Sequence, residues 1–320
     1  MERIAANGLA ALCLILMIGC SKPPRETGES AVMRAPVALL VEQVVDRSVL
    51  GLPLREPFGL AADHRGMVYV VDAGNNRLVR FASDMKADRE TSGFGASGGL
   101  LDRPSFVTLD NDLNLFVSDA GNRRVCRFDA ELNYVSEIEL SDEDDPLMYG
   151  EPSGLALTDY GELWLADHDK SQLAVFDNIG GFDRVIGDFG YSGGQLAKPE
   201  KVLADPGRDA FIVCDAGNAR LVTYDFYGNF DGQIKHPEFE YPIAATPGEI
   251  GGLWVLDNAL GRVMLFDAAG RSVFATGPLL AGSNVSLKSP SDILSLRNDR
   301  LLIADTGNNR LVICRILYNE

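Results

Sequence analysis

Six copies of one short pattern run through this chain. In each, a Pro opens a short apolar segment, and a second apolar segment ends on Asp. A tight polar turn follows, and a third segment leaves, usually with a basic residue at its start. The turns are Asp72-Ala-Gly-Asn-Asn-Arg77, Asp119-Ala-Gly-Asn-Arg-Arg124, Asp167-His-Asp-Lys-Ser-Gln172, Asp215-Ala-Gly-Asn-Ala-Arg220, Asp257-Asn-Ala-Leu-Gly-Arg262 and Asp305-Thr-Gly-Asn-Asn-Arg310. The Asp positions are 47, 48, 48, 42 and 48 residues apart. The opening prolines, Pro57, Pro104, Pro152, Pro199, Pro242 and Pro290, keep nearly the same step. Repeats of this length built only from strands read as propeller blades. The expected fold is all-β: a six-bladed β-propeller of four-stranded blades.

Blade one shows the grammar. Pro57-Phe-Gly-Leu-Ala-Ala62 is a strand beside the axis, and Asp63-His-Arg-Gly66 is a turn. Met67-Val-Tyr-Val-Val71 is apolar almost throughout, as expected of a sheet covered on both faces by neighbouring blades. Arg77-Leu-Val-Arg-Phe81 is the third strand, and a looser fourth falls before Leu101. After the sixth third strand too little chain remains for an outer strand. Yet Val37-Ala-Leu-Leu-Val-Glu-Gln-Val-Val45 is strand-like and has no place in blade one. It is predicted to complete the last blade, closing the ring and removing an open edge.

The amino terminus lies outside the repeats. An apolar run from Leu9 to Ile18 is too short for an ordinary membrane-spanning helix of ~20 residues. It reads as a signal peptide over residues 1–19. Its end, Leu16-Met-Ile-Gly-Cys20, resembles a bacterial lipobox, which implies lipidation at Cys20. Residues 20–36 read as a polar tether and 37–320 as the propeller. The resemblance implies a cell-envelope location, with the membrane contacted through the lipid alone. In a Gram-negative cell, Ser21 after Cys20 resembles the signal for outer-membrane delivery.

The pattern Pro-x-Gly-Leu-Ala followed by Val-Tyr-Val-Val-Asp-Ala-Gly-Asn-Asn-Arg-Leu-Val-Arg-Phe strongly resembles the NHL repeat, over about residues 52–316. Repeats three and five depart from it in the turn. The resemblance implies a six-bladed propeller. Such proteins serve as extracytoplasmic sensors or scaffolds, as RNA- or protein-binding modules, and in one branch as an amidating lyase. Fold alone does not choose among these.

Composition removes some choices. The net charge is −17, which disfavours nucleic acid, because phosphate contacts need Lys and Arg. The chain has 3 histidines, His64, His168 and His236, and they fall in turns on opposite rims and near an outer strand. Convergence on one zinc, which needs all ligands ~2 Å from the ion, is not expected. Cys126, Cys214 and Cys314 lie in different blades and read as buried thiols. Two Gly-x-Ser-x-Gly matches, Gly95–Gly99 and Gly190–Gly194, precede the next blade rather than a helix, so they read as linkers. The acidic run Ser141–Pro146 reads as a solvated loop. The repeated Asp and Arg read as turn caps and blade-to-blade ion pairs, because a catalytic group is needed once and a turn six times.

What varies on a repeating frame is more informative. The residues before the prolines, Glu56, Arg103, Glu151, Lys198, Tyr241 and Ser289, are expected to ring one mouth of the channel, joined by His168 and Lys170. Lys201 and Asp292 are candidates for the channel itself. No catalytic residue, cofactor or metal is assigned, with calcium left open. The favoured role is a monomeric, non-catalytic scaffold for an envelope protein, peptide or glycan. The alternative is a metal-dependent propeller enzyme, of lyase or lactonase type, with a cation in the central channel.

Overall fold

A computed structural model describes residues 33–48, 51–91, 93–140 and 150–319. The expected signal peptide, Cys20, most of the tether and the acidic run lie outside these residues. No helix among the described residues is long and apolar enough to cross a membrane.

The described chain forms six four-stranded antiparallel sheets. The innermost strands, a, are Pro57–Ala62, Pro104–Leu109, Pro152–Leu157, Pro199–Asp205, Pro242–Pro247 and Asp292–Leu296. The b strands are Val68–Asp72, Leu115–Asp119, Leu163–Asp167, Ala210–Asp215, Leu253–Asp257 and Arg300–Asp305. The c strands are Arg77–Phe81, Arg124–Phe128, Gln172–Phe176, Arg220–Asp225, Arg262–Phe266 and Arg310–Tyr318. The outer d strands of blades one to five are Ala87–Glu90, Tyr134–Glu139, Phe182–Ile186, Phe230–Lys235 and Ser272–Ala275. Blade six takes its d strand from Pro36–Val45, which pairs antiparallel with Arg310–Tyr318 from Ala38 opposite Leu317 to Val45 opposite Leu311. The two ends of the ring are thus joined by main-chain hydrogen bonds, as the orphan strand in the sequence predicted.

The b strands are buried along their whole length in blades one, three, four and five, whereas the d strand Tyr134–Glu139 is mostly exposed. Burial on both faces explains the unbroken apolar runs. The apolar side chains form six clusters among the described residues, one between each pair of neighbouring blades. Between blades three and four, Trp164 stacks on Phe211 at 3.9 Å between ring centres. Near the axis, backbones approach closely. A Cβ at Gly59 would lie 2.6 Å from the Ser105 carbonyl oxygen of blade two, so Gly is required there.

The repeat Asp organises each blade. Asp72, Asp119, Asp167, Asp215, Asp257 and Asp305 each accept a main-chain N–H from the linker entering their own blade, at 2.6–2.9 Å. In blades one, two, four and six the same carboxylate accepts from the Asn three residues on and from the Arg five residues on. These ion pairs therefore lie within one blade and do not bridge two, as the sequence reading had them. The three described cysteines are free and buried, and burial pushes the Cys126 thiol up to about 12.

Candidate functional site

Before the opening Pro of blades one, two and four, Glu56, Arg103 and Lys198 sit beside the b–c turn of the preceding blade. Glu56 N–H donates to Asn309 Oδ1 at 2.8 Å, Arg103 N–H to Asn76 Oδ1 at 2.7 Å and Lys198 N–H to Ser171 Oγ at 3.2 Å. These contacts place the pre-proline residues and the b–c turns on one rim. Glu56, Arg103, Lys198 and Ser289 adopt φ of 43–49°. That strained conformation goes with the Gly-containing turn, whose Gly N–H donates to the carbonyl one residue earlier, as Gly74 does to Arg55. Repeats three and five lack that turn Gly. There His168 N–H donates to the Glu151 carbonyl and Asn258 N–H to the Tyr241 carbonyl. The rim path thus changes at the two irregular repeats.

Chemistry gathers around those irregular repeats. A cavity of about 360 Å³ at the mouth is lined by Glu56, Arg103, Glu151, Ser153, His168 and Glu200, with Phe58 and Ser105 among its walls. Arg103 of blade two pairs with Glu151 of blade three at 3.0 Å. Glu200 of blade four is the hub. Its Oε1 lies 3.2 Å from His168 Nδ1 of blade three and accepts the Tyr241 hydroxyl of blade five at 2.5 Å. Ser153 Oγ donates to the Glu200 carbonyl at 2.7 Å and approaches its Oε2 at 3.3 Å. The Glu200 hydrogen bond raises the pKa of His168, against the opposing effect of burial. Burial, reinforced by Glu200, pushes the Tyr241 phenol up, so it remains a donor.

Of the rim residues singled out from sequence, Glu56, Arg103, Glu151 and His168 share this cavity, and Tyr241 reaches it through Glu200. Lys198 and Lys170 are exposed and do not line it, although Lys198 is close enough to oppose protonation of His168. Deeper in, Lys201 Nζ bonds Asp292 Oδ1. Asp292 also accepts from Leu60 N–H and its neighbour Ile293 N–H, both at 2.8 Å. Burial raises the Asp292 pKa, with Lys201 opposing. The histidines are dispersed: His64 accepts Arg297 through its carbonyl, and His236 packs against Phe239 and Phe266. No group of three or more His, Cys, Asp or Glu among the described residues is placed to hold a metal ion.

Sequence reasoning did not place Glu200 or Ser153 at the mouth. A signal was present: the position after the opening Pro reads Phe58, Ser105, Ser153, Glu200, Ile243 and Ser291, and Glu200 is the one charge.

A family model described as a 6-bladed beta-propeller matches residues 108–258. Protein brain tumor of Drosophila melanogaster is 25% identical over 130 residues, 40% of this chain. The match spans 12% of that relative's length. Among solved structures, streptogramin B lyase superposes with a TM-score of 0.62 at 14% identity, covering 90% of each chain. A chain of the nidogen/laminin complex superposes with a TM-score of 0.57 at 18% identity, covering 72% of this chain and 83% of that one. At these identities the neighbours share the fold, which is a six-bladed β-propeller.

Proposed function

We propose that this chain is an NHL-type propeller, held in the cell envelope by a lipid on Cys20, that binds a partner at its mouth without catalysing a reaction. The observation that carries the reading is the cavity where Arg103–Glu151 and His168–Glu200–Tyr241 converge from four blades. Its charges are of both signs, with Arg103 paired to Glu151 and His168 to Glu200. A ligand bearing both donors and acceptors, as a polar peptide or protein loop does, can exchange into those pairs without stranding a charge. The nidogen/laminin complex offers a precedent for a neighbour of this fold in a protein assembly. The lipobox-like Leu16–Cys20 and the net charge of −17 support an envelope location without nucleic acid.

The enzyme reading, a lyase or lactonase with a cation at the axis, draws less support. Asp292 would have to be a ligand, and its carboxylate is committed to Lys201 and two main-chain N–H groups.

The test is crosslinking and affinity capture of the tagged, lipidated protein from its own envelope, beside the Arg103→Ala/Lys198→Ala/Tyr241→Ala variant. A partner captured by the native chain and lost from the variant is expected. A partner indifferent to all three changes overturns the mouth as the site. Stoichiometric calcium or zinc that disappears in Asp292→Ala favours the enzyme. Cys20→Ala is expected to leave the membrane fraction, and continued sedimentation with membranes would sink the anchor.

A further inference from the structure

The blades are built to one plan, so a place where one blade leaves unfilled what the others fill is informative. In blade two, Arg124 Nη2 donates to the Leu100 carbonyl at 2.6 Å, and Nη1 to the Ala96 carbonyl at 3.0 Å. In blade four, Arg220 Nη2 donates to the Gln195 and Ser192 carbonyls at 2.7 and 3.0 Å. In blade six, Arg310 Nη2 donates to the Ser286 carbonyl at 3.1 Å. In each case the linker entering the blade lays main-chain carbonyls on the guanidinium. In blades two and four that linker contains the Gly-x-Ser-x-Gly segment.

Blade one keeps the Arg, and among the described residues no linker carbonyl covers it. Arg77 Nε pairs with Asp72 Oδ2 at 2.8 Å, and Nη1 lies 3.2 Å from Glu90 Oε1. Yet Arg77 Nη2 and Glu90 Oε2 are both buried without a hydrogen-bond partner among the described residues. The Arg77 side chain is only 7% exposed and that of Glu90 11%. Buried polar atoms are otherwise nearly always satisfied, and leaving them so is costly. Both residues line a cavity of about 620 Å³ with Leu52, Pro53, Asn75 and Thr91. The entering linker touches Asn75, whose side chain donates to the Pro53 carbonyl at 3.1 Å.

We infer that this cavity is a second binding site, separate from the mouth, and that it takes a peptide turn supplied by a partner. An unpaired donor and an unpaired acceptor side by side match a peptide group, whose carbonyl accepts from Arg77 Nη2 and whose N–H donates to Glu90 Oε2. A carboxylate would satisfy Arg77 and be repelled by Glu90. Leu52, 49% exposed on the cavity wall, and Phe94, 71% exposed and next to the lining Gly93, offer apolar contact to the flanking side chains. The incoming turn does in trans what the Gly-rich linker does in cis for Arg124 and Arg220. The inference does not rest on the scaffold reading of the mouth.

The probe is the capped hexapeptide acetyl-Phe-Gly-Ala-Ser-Gly-Gly-amide, the sequence of residues 94–99. It is titrated into the isotope-labelled full chain and followed by backbone amide NMR. Arg77 itself is not varied, because it holds Asp72. Leu52→Trp fills the cavity from its exposed wall and leaves that pair intact. Shifts at Asn75, Glu90 and Thr91 are expected, with Kd weakened about tenfold or more in Leu52→Trp. No shift at millimolar peptide overturns the site, as does binding that Leu52→Trp leaves unchanged. Sodium acetate shifting the same amides as strongly would overturn the peptide assignment and make this an anion pocket.

Discussion

Lys201 of blade four bonds Asp292 of blade six, reaching past blade five, and the same carboxylate accepts Leu60 N–H from blade one. One side-chain pair thus ties three blades at the axis. Asp292 is fully buried and the Lys201 side chain is 13% exposed. Breaking such a pair strands a charge, so Lys201→Met is expected to cost ~3–5 kcal/mol. Burial already holds the Asp292 pKa above the usual carboxylate value. An acid whose folded pKa is raised favours folding when protonated and loses that contribution as pH rises. Removing Lys201 raises it further, so the deficit against the native chain should shrink toward pH ~4 and grow above it. Lys201→Met/Asp292→Asn should recover most of the loss, because the Asn carbonyl still accepts from Leu60. Urea titrations at two pH values check this, and equal deficits at both would refute it.

The repeat Asp differs in its company from blade to blade. Asp215 accepts from Ala197 N–H, Asn218 and Arg220 at 2.6–2.8 Å. Asp167, in the irregular repeat, accepts main-chain N–H groups of Gly150 and Lys170 at 2.8 and 3.0 Å, and burial raises its pKa. Asp215→Asn breaks a buried ion pair and should cost ~3–5 kcal/mol. Asp167→Asn loses hydrogen bonds to a charge and should cost ~1.5–3 kcal/mol. The order of the two melting temperatures decides the matter; a less stable Asp167→Asn would contradict it.

The fold was legible because its signals are periodic. Pro, Gly, Asp and the apolar b strands recur at one step, and Val37–Val45 had no partner except across the ring closure. The mouth was legible only as a ring of positions. What repeats three and five do to the backbone path, and hence that Glu151, His168 and Tyr241 meet Arg103 and Glu200, depends on packing between blades far apart in sequence. The Arg77 cavity was hidden for a related reason. Its mark is an Arg that obeys the repeat beside a linker that does not, and comparison of blades exposes it only once the carbonyls over Arg124 and Arg220 are seen.

Gly154 should tolerate no side chain. A Cβ there would lie 2.6 Å from the Glu200 carbonyl oxygen and meet the Lys201 backbone. Neither neighbour is the end of a flexible chain. Gly154→Ala is expected to cost ~1–3 kcal/mol by overpacking and to disturb the hub and the axial pair together. At Gly277 a Cβ meets nothing within 4 Å, so Gly277→Ala is the control and should melt as the native chain does. Equal melting temperatures for the two variants would show that blades three and four can separate freely at the axis.

His168 makes the mouth sensitive to pH. Its pKa is raised, first by the hydrogen bond to Glu200 and further by the charges of Glu200 and Asp169, while burial and Lys198 oppose. A histidine with a raised folded pKa stabilises the fold below its unfolded value of ~6.5 and loses that contribution as pH rises through the folded value. The native chain should therefore exceed His168→Gln in stability most at pH ~5, and the gap should close in alkali. Glu200→Gln removes the main cause, so imidazole NMR should find His168 titrating lower in that variant. Tyr241→Phe removes a donor from Glu200 and leaves the carboxylate freer to hold His168, so His168 should titrate higher there. A native His168 that titrates at or below ~6.5 would mean that Glu200 does not govern it, and with that the hub would lose its role at the mouth.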